Sequence, residues 1–163
     1  MKSLFILQLV CCVITAMLAL QLAMASLQVR WKVWRYEISR WILVASMLFF
    51  SVHYLLQMIH GLRAQGTDVG AAFNILFYTP VAFAITLSII NIESTGNKVR
   101  RYCLRGMMAY ILIAIVFVIG MFKSQSLHIG NMLYVMLGLF VASMAYFILI
   151  IRKETKARKQ KLM

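Results

Sequence analysis

Five apolar runs punctuate the chain, each near the length needed to cross roughly 30 Å of hydrocarbon. They occupy residues 4–27, 41–60, 71–92, 107–122 and 131–151, and none contains Asp, Glu, Lys or Arg. In lipid a backbone has no water to bond to, so only helices and closed barrels cross it. The alternation of a barrel strand is absent, which leaves helices. The expected class is therefore an all-α polytopic membrane protein with five transmembrane helices in residues 1–151 and a basic tail at 152–163. Composition agrees, since 63% of the 163 residues are hydrophobic and only four are acidic, too little polar surface for a dispersed soluble domain.

The cations set the expected orientation. Fourteen of the seventeen Lys and Arg residues fall in the joint at 28–41, the joint at 93–106 and the tail. The first joint holds Arg30, Lys32, Arg35 and Arg40, the second Lys98, Arg100, Arg101 and Arg105, and the tail opens with Arg152 and Lys153. Basic connectors stay on the cytoplasmic side, so the amino terminus is expected outside and the carboxyl terminus in the cytoplasm. Trp31, Trp34, Tyr36, Trp41 and Tyr102 stand beside the basic joints, at the level where amphipathic rings prefer to lie. The net charge of +13 is thus topogenic, touching the bilayer and its anionic headgroups. Direct nucleic-acid binding is not expected.

The first run, with Lys2 before it and Ala23, Met24 and Ala25 near its end, imitates a cleavable signal peptide. Its apolar stretch exceeds a signal core, and cleavage would leave the basic joint on the translocated side. A retained helix is expected. Cys11 and Cys12 are adjacent and Cys103 is distant, a spacing that makes neither a redox pair nor a metal site. They read as small apolar fillers. Pro80, the single proline, removes a helical hydrogen bond and is expected to kink the third helix.

The polar residues inside the runs carry the functional reading. Ser46, His53, Gln57 and His60 are spaced 7, 4 and 3 apart and share one helical face. Asn74 and Tyr78 are helical neighbours, and His128, Asn131 and Tyr134 open the fifth run. Alternating topology brings these toward the outer half of the membrane. Three meanings compete there. One is interhelical hydrogen bonding. Another is a ligand pocket built from His53, Gln57, His60, Asn74, Tyr78, His128 and Asn131. The third is b-type haem or quinone chemistry, with no cofactor on the first two readings. His53 and His60 lie about 10.5 Å apart along one helix and cannot both ligate one iron, so a haem requires His128 opposite His60, or two protomers.

Gly138, Ala142 and Ala145 form one small-residue stripe, and Ala16, Ala19 and Ala23 another. Such stripes admit close neighbours, including a second copy of the chain. The fourth run is apolar all round and is expected to be the most lipid-exposed. No nucleophile–base arrangement or phosphate loop appears, so an enzyme is not expected. The tail is made of good helix formers, with Glu154 and Arg158 at supporting i, i+4 positions. It is either a surface anchor or the element through which the helices drive a cytoplasmic effector domain or protein.

The stretches RYEISRWILVASMLFFSVHYLLQM and DVGAAFNILFYTPVAFAITLSIINI resemble the amino-terminal multi-pass regions of bacterial membrane-bound regulators. In that group a membrane module precedes an AraC-type DNA-binding or histidine-kinase domain. The resemblance implies an inner-membrane signal-input module. The sequence departs from that pattern by stopping at Met163 without an effector domain. A structural or assembly subunit of a membrane complex is the alternative.

Overall fold

A computed structural model of the chain describes residues 2–25, 33–62, 65–93 and 96–162. Arg30 and Lys32 lie outside the described residues, as does the side chain of Arg158. Five helices form: α1 (Lys2–Met24), α2 (Val33–His60), α3 (Thr67–Glu93), α4 (Gly96–Ser124) and α5 (Met132–Leu162). All five are long and apolar enough to cross a membrane, and no strand occurs among the described residues. The chain is an all-helical, multi-pass membrane protein.

The helices reach beyond the apolar runs. α2 begins within the first basic joint and α4 takes in most of the second. Lys98, Arg100, Arg101 and Arg105 therefore sit on the first turns of a helix and not in a loop. α3 continues through Pro80, whose missing N–H costs a helix less when packed neighbours hold it on both sides. Gly61 ends α2 at φ 56° and Gly130 precedes α5 at φ 53°, left-handed positions that glycine takes without a Cβ penalty.

Successive helices run antiparallel and share two common ends. At the basic end Ser39 Oγ donates to the Ser88 carbonyl (3.0 Å) and Ser88 Oγ donates back to that of Ser39 (3.1 Å). Asn91 Nδ2 adds bonds to Ser39 Oγ (3.0 Å) and the Arg35 carbonyl (3.1 Å). Arg40 pairs with Glu37 (2.6 Å) and donates to the Ala25 carbonyl just after α1. Tyr102 donates to Glu154 (3.0 Å), Lys98 reaches the same carboxylate (3.5 Å), and Arg105 donates to Tyr146 (3.1 Å). Glu154 is buried against α4; its expected pair with Arg158 falls outside the described side chains. Arg152 and Lys153 follow on the same end of α5.

Among the described residues the helices make a row that closes at one end: α1 touches α2 alone, α2 touches α1 and α3, and α3 also meets α4 and α5, which touch each other. The core lies where α3, α4 and α5 meet, around Ala72, Ile75, Ile113, Phe117, Ile129 and Met136. The expectation that α4 faces the most lipid is overturned. Only 11% of the α1 span is buried, against 22% for α4, because α4 has two neighbours and α1 one. The Ala16–Ala19–Ala23 stripe turns toward α2, with Ala19 buried, whereas Gly138, Ala142 and Ala145 face outward from α5.

Candidate functional site

His53 and Gln57 stand one turn apart on α2 and Asn74 faces them from α3. His53 and Gln57 are each 1% exposed, so the cluster is closed in this structure. Burying such groups in an apolar setting demands internal partners, and these residues supply them to one another. Gln57 Nε2 lies 2.7 Å from Asn74 Oδ1 and 3.1 Å from His53 Nε2, and His53 Nε2 lies 3.1 Å from Asn74 Oδ1. α1 joins through Gln8, whose Nε2 donates to Gln57 Oε1 at 3.1 Å. That bond sets which way the Gln57 amide faces.

The three corner atoms form a closed triangle, and a triangle cannot be fully satisfied. An amide nitrogen only donates, an amide oxygen only accepts, and an uncharged imidazole nitrogen does one or the other according to tautomer. Around a ring of three such atoms, donors and acceptors cannot alternate on every edge. With a lone pair on His53 Nε2, Gln57 donates to both His53 and Asn74, and the His53–Asn74 edge sets acceptor against acceptor. With the proton there, His53 donates to Asn74, and the His53–Gln57 edge sets donor against donor. Turning over either amide moves the mismatch without removing it. Either hydrogen-bond state leaves one mismatched edge in a buried site, where a mismatch costs more than in water.

Aromatic rings enclose the imidazole. Phe77 stacks on it with centroids 4.4 Å apart, and Tyr78 meets it edge-on at 5.7 Å. The Tyr78 hydroxyl lies 3.4 Å from that of Tyr54. The structure therefore brings together four of the seven candidate pocket residues: His53, Gln57, Asn74 and Tyr78. The other three lie elsewhere. His60 is exposed at the last position of α2, and Asn131 is exposed where its carbonyl caps the turn into α5 at Tyr134 N (3.2 Å). His128 pairs through Nδ1 with Asp68 Oδ2 at 2.7 Å, joining the α4–α5 connector to the first turn of α3. Ser46, on the same α2 face, bonds its own helix at the Ile42 carbonyl (2.7 Å).

Gln8 and Asp68 were not anticipated from the sequence. A lone glutamine in an apolar run is a usable signal, because lipid offers it no partner. Which helix would meet it is not encoded locally. No family model, curated protein or solved structure matches the chain.

Proposed function

We propose that the chain is a signal-input module of a bacterial inner membrane, with its amino terminus outside and its basic end in the cytoplasm. The observation that carries this reading is the closed His53–Gln57–Asn74 triangle, set across two helices with a tie to a third; its two possible hydrogen-bond arrangements are the states between which a stimulus would choose. A stimulus shifts such an element only through different free energies for the two arrangements. α3, which holds Asn74, also packs on α5, and α5 continues unbroken to Leu162. With 31 residues, α5 is about 46 Å long, more than the hydrocarbon thickness. A change at the triangle is thereby relayed to a tail that meets a cytoplasmic effector. The cation asymmetry supports the orientation.

Spin-label distances across the basic end test the reading. Labels at Asn97→Cys and Gln160→Cys, with Cys11, Cys12 and Cys103 replaced, report α5 against α4 in proteoliposomes. Gln57→Met holds the triangle in its His53-donating state, and His53→Phe keeps only the Gln57–Asn74 bond. The reading expects these two variants to give different distance distributions. Identical distributions in both variants and in the parent would sink it.

The assembly-subunit reading is favoured by one observation. A Cβ placed on Gly138 meets nothing within 4 Å, and this small-residue stripe faces outward. Gly138→Leu is then neutral for the isolated protomer. Loss of a stoichiometric co-purifying partner, or of a homo-oligomer, in that variant would favour an assembly role.

A further inference from the structure

We propose that the cleft between the last turns of α3 and the first turns of α4 binds one anionic phospholipid, its phosphate held by Arg100 and Arg101. The cleft has a volume of about 580 Å³ and is lined by Asn91 and Leu87 on α3 and by Arg100, Arg101, Leu104 and Met107 on α4, among others. It lies at the same end as the exposed Trp34 and Trp41, rings that settle at headgroup depth.

Its walls change polarity in one direction. On α4 the two arginines follow Val99 near the rim, and Met107 lies about 10 Å deeper. On antiparallel α3 Asn91 stands at the arginine level and Leu87 one turn deeper. Cations and an amide at the rim above an apolar floor match a headgroup above its acyl chains. Among the described residues no acid lines the cleft.

The neighbouring cations contrast with these two. Arg40 pairs with Glu37, Lys98 with Glu154, and Arg105 bonds Tyr146. The described carboxylates at this end are thus engaged elsewhere, while Arg100 and Arg101 are exposed beside the cleft. Guanidinium groups grip phosphate oxygens in pairs, and basic pockets between transmembrane helices hold anionic headgroups. The acyl chains lie against Leu87, Leu104 and Met107, which separates this site from a general attraction of the basic surface for lipid.

Native mass spectrometry of delipidated protein, titrated with phosphatidylglycerol or phosphatidylcholine, tests the site. The parent is expected to retain one phosphatidylglycerol in preference to phosphatidylcholine. R100Q/R101Q is expected to weaken retention about thirtyfold, roughly fivefold for each cation. R152Q/K153Q, at the same end but off the cleft, is expected to stay within about twofold of the parent. Leu104→Trp keeps both arginines, covers the apolar floor and is expected to lose the lipid. These positions are exposed, and circular dichroism checks that each variant is folded. Equal retention of the two lipids, equal loss in R152Q/K153Q, or displacement by free glycerol 3-phosphate would overturn the proposal.

Discussion

Gly106 of α4 lies directly under the ring of Phe83 on α3, so close that a Cβ there would fall within 3.0 Å of three ring carbons. The same ring meets Phe147 of α5 with centroids 5.8 Å apart, so one contact ties three helices. Gly106→Ala is expected to lower stability by about 2 kcal/mol, the cost of forcing a packed ring aside. Unfolding in mixed micelles measures it. Phe83→Ala in the same chain should remove the clash, so the two substitutions together should cost less than their sum.

The triangle makes a spectroscopic prediction. On the proposed reading the two tautomers of His53 compete while Gln57 is present. Gln57→Met deletes the amide donor while keeping volume, and His53 Nε2–H is left facing Asn74 Oδ1. Nitrogen NMR of labelled histidine should then show His53 as the single Nε2–H tautomer, against a mixture in the parent. The same mixture in both proteins would refute the competing-state description.

At the basic end two partners of Glu154 differ in worth. The Tyr102 hydroxyl meets its carboxylate at 3.0 Å, whereas the Lys98 ammonium stands 3.5 Å away on a side chain 54% exposed. A hydrogen bond to a buried carboxylate contributes about 1.5 kcal/mol, and an exposed ion pair about 0.5 kcal/mol or less. Tyr102→Phe should therefore speed amide exchange around residues 150–158 more than Lys98→Met does. The reverse order would mean that the ion pair, not the hydroxyl, holds the tail.

Because Asp68 and His128 are in contact, the α2–α3 and α4–α5 connectors share one side. Cysteines at Gln65 and Ser126 should react with an impermeant maleimide from the outside of intact cells, and a cysteine at Gln160 only after permeabilisation. Labelling of Gln160→Cys from outside would invert the orientation we propose.

The helices were legible because an apolar run without charge has one solution in lipid. His53, Gln57 and Asn74 were legible from spacing, since a 3.6-residue period places side chains on a face whatever the neighbours are. His60 obeys the same period yet is exposed. It stands at the last position of α2, just before Gly61 turns the chain out of the helix, and periodicity does not say where a stripe outruns its partners. Helical spacing shows only the local neighbours of Glu154. Its bond to Tyr102, 52 residues away, depends on how α4 and α5 align, which is fixed by packing and by no short motif. Gln8 was missed for the same reason.

The row of helices carries a consequence for biogenesis. Every helix touches the one before it, and α3–α5 is the sole contact among the described residues that skips a neighbour. A nascent chain entering the bilayer from its amino end thus finds a docking partner waiting for each new span, with no helix stranded until a distant one is made. Only the last arrival must seat against two predecessors at once. Synthesis of α5 is therefore the step that closes the core, and a chain interrupted just before it would leave Ala72 and Ile113 facing lipid in place of Met136.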